Sequence, residues 1–501
     1  MKAHLNIKPA DVVAKIDERI YGSFIEQLGR AVYTGIYQPD HPSADEDGFR
    51  QDVIDAVKQL NVPLIRYPGG NFLSQYRWED GIGPKEKRPT RLDIAWREIE
   101  TNEFGLHEFM KWAKKVNAAP NMAVNLGTRG IEAAVDLLEY CNFPKGTYWS
   151  DLRIKNGAKR PFAIKTWCLG NEMDGPWEIG MKNAEDYAKL ANETAKAMKR
   201  VDDSIELVAC GSSSMDNPTF GKWEETVLDH CYDNIDYLSL HRYYGYYDDD
   251  DPNELDNFLG KNVDLDQFIK GVVAMCDAVK ARKRSNKEIN LSFDEWNVWY
   301  HSNNADTKVE PWQVGPHLLE DIYNFEDALL VGSLLMTLLK NADRVKIACL
   351  AQLVNVIAPI MTDNKGGVWL QSIFYPFMQV SQYGRGEVLV PHVEVETYKT
   401  REFDAVPYVD TVATYDCKNK MVTVFVENKN QQETVEFTAD LFDLEIDEVT
   451  EATQFAGYHP KQDNRQGKMK IERLESFTSD KTEIKATLSP LSWNMIRIRI
   501  K

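Results

Sequence analysis

Short apolar runs alternate with amphipathic stretches along roughly the first three-quarters of the chain. Most of these runs are continuously apolar, which is typical of parallel strands that are buried on both faces of a sheet. The amphipathic stretches between them predict helices that cover the sheet, so the pattern indicates repeated βα units. Eight runs stand out as predicted strands: residues 21–28, 62–67, 122–126, 164–169, 205–210, 235–241, 289–296 and 346–353.

Two of the intervening stretches have a clear helical period. Residues 183–201 open with Asn183 followed by Asp186, which is a helix-capping pattern, and they place Tyr187 and Ala191 on one face. The second helical stripe consists of Leu265, Phe268, Ile269, Val272, Cys276 and Val279. Eight strands with helices between them predict an α/β fold, a (β/α)8 TIM barrel with enlarged loops. A doubly wound open sheet is the alternative that periodicity leaves open.

The pattern changes from about residue 387, where short alternating segments are separated by turn residues. The segments 422–426, 434–437 and 469–471 predict strands, and residues 496–500 place three isoleucines on one face and two arginines on the other. This part of the chain predicts an antiparallel, jelly-roll-like β-sandwich. The predicted division is a catalytic barrel over residues 18–385 and a sandwich over residues 386–501, to which residues 1–17 add a strand.

Composition narrows the class of protein. The 501 residues include 78 acidic and 59 basic side chains, a net charge of -19 that disfavours binding to nucleic acid. The longest apolar stretch, residues 328–339, is shorter than the ~20 residues of a membrane span and predicts a buried helix. The N-terminus has no apolar segment of a secretory signal, and the seven cysteines never form a CxxC pair. We therefore expect a cytoplasmic protein with reduced thiols and no membrane contact.

Two glutamates follow apolar strands at positions where a barrel carries its chemistry. Glu172 ends the fourth predicted strand, and Glu295 ends the seventh. Side chains at the carboxyl ends of barrel strands point into the mouth, where barrel enzymes have their active sites. A protonated carboxyl group and an ionised one in the same cavity are what glycoside hydrolysis requires. Each glutamate alone could instead be a structural ion-pair member, but the pair on these two strands favours catalysis.

Several sequence strings carry a family resemblance. Gly170-Asn171-Glu172 and Asp294-Glu295-Trp296 are similar to the strand ends of retaining glycosidases. Five longer strings are FIEQLGR at 24–30, RYPGGNF at 66–72, WEDGIGP at 78–84, GNEMDGP at 170–176 and AQLVNVIAP at 351–359. In this order they closely resemble the intracellular α-L-arabinofuranosidases of glycoside hydrolase family 51. One departure is Gln27, where many relatives have histidine.

The resemblance implies a role for each matching residue. Glu172 matches the acid/base and Glu295 the nucleophile, and Asn171 matches the asparagine that binds the sugar 2-hydroxyl. Three further residues match those that hold the furanose hydroxyls: Glu26, Asn71 and Gln352. Arg66 and Tyr243 match groups near the nucleophile, whereas Trp96 and Trp299 match aromatic residues at the entrance.

Structural alternatives remain for the binding residues. Glu26 could pair with Arg30, and Asn71, which follows two glycines, could be only a turn residue. Trp96 and Trp299 could be packing residues at the barrel rim, and Arg66 could belong to a structural ion pair. Gln352 lies in an apolar strand, where a buried amide needs partners, so the binding role is favoured.

Other chemistries have weak signals. His107, His241 and His317 are not at metal-ligand spacings, so we predict no metal and no cofactor. The four aspartates at 248–251 lack the spacing and glycine of an EF-hand loop and predict a solvated acidic loop. No nucleophile elbow, dinucleotide fingerprint or P-loop is present.

The resulting prediction is a retaining, exo-acting α-L-arabinofuranosidase that acts on arabino-oligosaccharides by double displacement. One alternative is a β-xylosidase or endoglucanase built on the same barrel and glutamate pair. A second, from another class, is a non-catalytic carbohydrate-binding protein. The resemblance also implies a homo-oligomer, often a hexamer.

Overall fold

A closed barrel of eight parallel strands forms the larger part of the protein, and the computed structural model describes residues 1–246 and 251–501. The strands are β1 (Gly22–Phe24), β2 (Leu64–Tyr67), β3 (Ala119–Val124), β4 (Thr166–Leu169), β5 (Glu206–Ala209), β6 (Tyr237–Tyr244), β7 (Asn290–Val298) and β8 (Val345–Leu350). Each strand pairs with the next in the chain, and β8 pairs with β1. The predicted TIM barrel is confirmed, and the open sheet was the wrong alternative.

The helices of the barrel follow the predicted stripes. They are α1 (Gln51–Leu60), α2 (Leu106–Lys115), α3 (Ile131–Asn142), α4 (Tyr148–Lys155), α5 (Ala184–Val201), α6 (Lys222–Cys231), α7 (Glu254–Leu259), α8 (Asn262–Lys283), α9 (Asn303–Asp306), α10 (Phe325–Lys340) and α11 (Phe374–Tyr383). Asn183 caps α5 by accepting a hydrogen bond from the backbone N–H of Asp186 at 2.9 Å. Every residue of the α8 stripe is buried.

A second domain, built from the N-terminal strands and from the chain after the barrel, consists of two packed sheets. The five-stranded sheet has the order His392–Val395, Lys2–Ile7, Val435–Leu441, Glu483–Leu488 and Phe477–Ser479. The seven-stranded sheet has the order Val12–Lys15, Glu387–Leu389, Val409–Asp416, Met421–Asn428, Ser492–Ile500, Ile446–Phe455 and Glu472–Arg473. The two sheets share one apolar core.

The antiparallel sandwich is confirmed, with two differences in detail. The strand Lys2–Ile7 pairs in parallel with Val435–Leu441, whereas all the other pairings of these two sheets are antiparallel. The predicted strand at 469–471 is wrong, because the short strand lies at Glu472–Arg473. The isoleucines of Ser492–Ile500 are buried, as their alternation indicates. The exact domain division stays a prediction.

Helix α10 lies between the barrel and the sandwich, which explains its apolar character on every side. It contacts β7 and β8 of the barrel and the strands Val409–Asp416 and Met421–Asn428 of the sandwich. At Gly332 a Cβ atom would meet the Trp493 ring at 2.6 Å, so only glycine permits this close approach. In the described part of the chain no helix is long and apolar enough to cross a membrane.

Buried charges also join the two domains. Lys429 of the sandwich is completely buried, and its Nζ donates to the carbonyl of Leu259 and to Oδ1 of Asn262, both at 2.8 Å. Asp410 forms an ion pair with Lys340 at the end of α10 and accepts from Asn262 at 3.0 Å. The sandwich is thus attached to the barrel by charge-assisted hydrogen bonds as well as by apolar packing.

Removing one charge from this interface should destabilise the protein. In Lys429→Met the Nζ donors disappear, and Asp410 and Glu427 lose a buried countercharge, so we expect the free energy of unfolding to fall by about 3 kcal/mol. Urea denaturation followed by circular dichroism measures this loss. The control is Lys470→Met, because Lys470 is 71% exposed and faces an exposed glutamate. Equal, small losses in both variants would contradict a stabilising role of Lys429.

Candidate active site

A cavity of about 490 Å³ opens at the carboxyl ends of the barrel strands. Its lining side chains include Glu26, Asn71, Trp96, Glu172, Trp177, Tyr243, Glu295, Trp299 and Gln352. All the predicted site residues except Arg66 and Asn171 therefore line one cavity, and these two bind its lining groups directly. Larger depressions lie over the five-stranded sheet and beside residues 72–102, but neither contains the glutamate pair.

Glu295 has the surroundings of an ionised carboxylate. Its Oε1 accepts from Nη1 of Arg66 at 2.5 Å, and its Oε2 accepts from the hydroxyl of Tyr243 at 2.7 Å. Although burial alone would raise the pKa of Glu295, His241, Arg66 and Tyr243 together hold this pKa below its usual value. Arg66 comes from β2, Tyr243 from β6 and Glu295 from β7, so the closed barrel brings the three together.

Glu172 has the opposite electrostatic character. Burial raises its pKa, and the charge of Glu295 adds to this effect, whereas hydrogen bonds from His241 and Trp177 oppose it. Its Oε1 lies 2.8 Å from Nδ1 of His241, and its Oε2 accepts from the indole N–H of Trp177 at 2.6 Å. The backbone of Glu172 has a φ of 42°, a left-handed conformation that stores about 1–3 kcal/mol of strain in a residue with a side chain.

His241 lies between the two glutamates. Its Nδ1 is 2.8 Å from Glu172 and 3.7 Å from Glu295, and its Nε2 is buried without a partner among the described residues. Burial lowers the pKa of His241, but both carboxylates raise it, and the net shift is upward. His241 can therefore exchange a proton with Glu172 or add a positive charge beside Glu295.

Glu26 forms the inner wall of the cavity. Its Oε1 accepts from the indole N–H of Trp96 and from the backbone N–H of Phe72, both at 2.9 Å, and its Oε2 accepts from Gln352 at 3.3 Å. Burial and the charge of Glu295 raise the pKa of Glu26 to about 8. Gly70 allows this arrangement, because a Cβ atom there would lie 2.3 Å from Glu26.

The hydrogen bonds of Glu26, Asn71 and Arg66 connect all three with groups of the cavity. Glu26 does not pair with Arg30, which binds Glu320 at 2.7 Å instead. Asn71 accepts from Nδ2 of Asn171 at 3.2 Å. Arg66 does belong to an ion pair, but its carboxylate partner lies in the cavity.

Asn171 is fixed by Arg66, whose Nη2 donates to its Oδ1 at 2.7 Å. The same guanidinium thus holds the carboxylate of Glu295 and orients the amide of Asn171. Trp96 and Trp299 are half-buried and line the cavity, and the ring of Trp299 meets that of Tyr243 edge-on at 5.3 Å. Their role at the entrance of the site, which the family resemblance implies, stays a prediction.

Sequence reasoning missed two residues that contact the acid/base candidate. Sequence spacing argues against His241 as a metal ligand and suggests no other role, although this residue lies two positions before Tyr243 on β6. Since alternate residues of a strand face the same side, Tyr243 was a signal for it. Trp177 directly follows the 170–176 string, and no periodicity indicates that the chain turns back toward Glu172.

Among the residues that the structure describes, one group of side chains has metal-ligand geometry. Nδ1 or Nε2 of His241 and one oxygen each of Glu172 and Glu295 lie within 4.8 Å of one another. The positive charge of Arg66 at 2.5 Å from Glu295 opposes a divalent cation there. Of the acidic segment 248–251, residues 248–250 lie outside the described residues, so its prediction stays a prediction.

A barrel with two close glutamates of opposite electrostatic character, at the ends of its fourth and seventh strands, defines a glycoside hydrolase. Residues 56–253 match the family description Alpha-L-arabinofuranosidase 1 domain, and residues 294–492 match Alpha-L-arabinofuranosidase C-terminal domain. The chain belongs to the α-L-arabinofuranosidases of glycoside hydrolase family 51.

Individual relatives resemble the chain over its whole length. A Bacillus subtilis (strain 168) protein named intracellular exo-α-(1→5)-L-arabinofuranosidase 1 is 57% identical over 500 residues, covering 99% of both chains. A Bifidobacterium longum exo-α-(1→6)-L-arabinofuranosidase is 48% identical and covers 97% of this chain and 95% of its own. The solved structure of a family 51 α-L-arabinofuranosidase from Bifidobacterium longum has a TM-score of 0.95 at 43% identity, covering 99% of each chain.

Two conservative substitutions should separate the roles of the glutamates. Tyr243→Phe removes a hydrogen bond that stabilises ionised Glu295, so its pKa should rise and the acid limb of kcat/KM should move up by about one pH unit. Trp177→Phe removes a hydrogen bond that stabilises ionised Glu172, so the alkaline limb should move up by a similar amount. The measurement is the pH profile for 4-nitrophenyl α-L-arabinofuranoside. Movement of the same limb in both variants would contradict the division of roles.

Proposed function

We propose that this protein is a retaining, exo-acting α-L-arabinofuranosidase that releases terminal arabinofuranose from short arabino-oligosaccharides. The observation that carries the proposal is the glutamate pair: one oxygen of Glu172 and one of Glu295 lie within 4.8 Å. Retaining pairs are ~5–5.5 Å apart, whereas inverting pairs are ~6.5–9.5 Å apart to admit a water molecule. The lowered pKa of Glu295 and the raised pKa of Glu172 suit a nucleophile and an acid, respectively.

The proposed reaction has two displacements. In the first, Glu295 attacks the anomeric carbon while Glu172 donates its proton to the glycosidic oxygen, which leaves with the bonding electrons. In the second, Glu172, now ionised, takes a proton from water, and the resulting hydroxide displaces Glu295 from the anomeric carbon. Arg66 and Tyr243 stabilise the charge that returns to Glu295, and His241 supports the change in ionisation of Glu172.

The inner wall supports exo action on a furanose. Glu26 and Gln352 are each 2% exposed and offer a carboxyl and an amide at the end of the cavity, where Asn71 and Asn171 add further donors. These polar groups can bind the free hydroxyls of a terminal furanose. Asn171, oriented by Arg66, is the proposed partner of the sugar 2-hydroxyl beside the reacting carbon.

The proposed linkage and location follow the name of a relative, and the proposed assembly follows the family resemblance. We propose the α-1,5 linkage and a cytoplasmic location, because a relative 57% identical is named an intracellular exo-α-(1→5)-L-arabinofuranosidase. A homo-oligomer, a hexamer by family resemblance, is proposed as well and can be checked by light scattering. A β-xylosidase or endoglucanase is the weaker candidate, since no feature of the Glu26 wall favours it.

Azide rescue tests both catalytic roles. In Glu172→Ala the glycosyl-enzyme still forms from 4-nitrophenyl α-L-arabinofuranoside, and azide, which needs no general base, should release it as α-L-arabinofuranosyl azide. Glu295→Ala should lose at least ~10³-fold in kcat, the scale expected for a lost nucleophile, and should yield no α-azide. The products are identified by NMR spectroscopy.

Glu132→Ala is the matched control, because Glu132 is an exposed glutamate of α3. It should keep wild-type turnover and form no azide product. Turnover by the wild type of a xyloside or glucoside, and not of the arabinofuranoside, would contradict the substrate. Sugar binding without turnover of any glycoside would favour the non-catalytic binding protein.

A further inference from the structure

A short hairpin beside the cavity carries Trp96. Its strands Arg91–Asp93 and Glu98–Glu100 pair antiparallel, with Asp93 opposite Glu98. The strand Glu98–Glu100 is also bound to a neighbouring segment, because the N–H of Ile99 donates to the carbonyl of Gln313 at 2.9 Å. Since Trp96 lies in the connection of this hairpin and donates to Glu26, the shape of the hairpin sets one wall of the sugar site.

Three carboxyl groups of the hairpin point inward rather than toward solvent. Asp93 is 1% exposed, and Glu98 and Glu100 are each 6% exposed. With Gln27 they line a small cavity of about 10 Å³, which has room for about one water molecule. Two buried oxygens of this lining, Oδ2 of Asp93 and Oε1 of Gln27, have no hydrogen-bond partner within the described chain.

The direct partners of these carboxyl groups are uncharged. Oδ1 of Asp93 accepts from the backbone N–H of Trp96 at 3.3 Å, and Oε1 of Glu98 accepts from the N–H of Gly29 at 2.8 Å. Glu100 accepts from Tyr33 and from the N–H of Asn102. Within residues 1–246 and 251–501, no lysine, arginine or histidine forms an ion pair with any of the three.

Arg91 lies opposite Glu100 in the hairpin, but its guanidinium binds Asp80 at 2.9 Å instead. The negative charge of Glu26 acts on Glu98, and that of Glu103 acts on Glu100. A carboxylate buried without a cation is strongly disfavoured, so such a group keeps its proton instead. Burial, together with the neighbouring carboxyl groups, raises the pKa of Glu98 to about 9 and that of Glu100 to about 7, and burial raises the pKa of Asp93 to about 6.

We propose that Asp93, Glu98 and Glu100 are positioning residues that hold Trp96 against Glu26 only while they are uncharged. Loss of their protons places like charges together in a buried cluster that has no ion-pair partner among the described residues, and the hairpin then opens and loosens the sugar site. When folding raises the pKa of a carboxyl group, the protonated group stabilises the folded state. This stabilisation is complete below the ordinary pKa of about 4, and it is lost as the pH rises through the raised pKa values. The closed hairpin should therefore weaken between about pH 6 and pH 9.

Amides of the same shape test this inference, because they cannot ionise. Glu98→Gln keeps an acceptor for Gly29, and the combined variant Asp93→Asn, Glu98→Gln, Glu100→Gln removes all three titrations. Binding of L-arabinose is measured by calorimetry from pH 5 to pH 9. As the pH rises from 5 to 9, we expect the affinity of the wild type for arabinose to fall about ten times further than that of the triple variant. A tenfold difference corresponds to one unit of linked pKa shift.

Hydrogen exchange of residues 94–100, corrected for the intrinsic rate, follows the hairpin itself and does not depend on the proposed function. Protection should fall with pH in the wild type and fall clearly less in the triple variant, in which Glu26, with a pKa of about 8, still titrates beside Trp96. Glu86→Gln, a change at an exposed glutamate of the segment before the hairpin, should behave as the wild type. If the triple variant does not fold, Glu98→Gln and Glu100→Gln singly should each remove part of the pH dependence.

Identical pH dependence of protection in the wild type and the amide variants would overturn the inference. The choice of arabinose as ligand rests on the proposed function. Absence of arabinose binding at every pH would therefore count against that function, while hydrogen exchange still decides the role of the hairpin.

Discussion

The buried guanidinium of Arg66 is the interaction on which the active site depends. It is 1% exposed, stacks over the ring of Phe24 at 4.8 Å, and divides its donors between Glu295 and Asn171. A buried cation and carboxylate are stable together only when geometry and further hydrogen bonds compensate for lost hydration. The barrel provides this geometry, because β1, β2 and β7 deliver Phe24, Arg66 and Glu295 to one point.

Burial raises the pKa of the other carboxyl groups of the site, Glu172 and Glu26, and the charge of Glu295 adds to this effect. Glu295 has Arg66 as its partner and stays ionised, so the carboxyl groups around it lie in a field that favours protonation. Glu172 shares His241 with Glu295 and has a raised pKa, and Glu26 has only uncharged direct partners and a pKa of about 8. One cation thus separates the proposed nucleophile from the proposed acid within a single cavity. Burial likewise raises the pKa of the three carboxyl groups in the hairpin that carries Trp96.

Much of this arrangement could be predicted from the sequence. Buried parallel strands have a strong apolar signal, so all eight barrel strands were found, and the two glutamates stood out because charge rarely follows such runs. Trp177 could not be found in this way, because its approach to Glu172 depends on a turn with no repeating pattern. The hairpin at 91–100 was also missed, since three-residue strands with inward carboxyl groups contradict the usual alternation of apolar and polar positions. The strand predicted at 469–471 is an error of the opposite kind. Met469 is buried, as an apolar position of a strand would be, but the segment does not form a strand.

Transfer of the sugar to methanol tests the central claim, that ionised Glu295 forms a covalent bond to the sugar, most directly. With methanol added to the wild-type enzyme and an aryl α-L-arabinofuranoside, NMR spectroscopy identifies the anomer of the first methyl glycoside formed. Double displacement through Glu295 predicts methyl α-L-arabinofuranoside, because two inversions restore the starting configuration. Formation of the methyl β-glycoside would mean a single displacement and would contradict the assignment of Glu295 as the nucleophile.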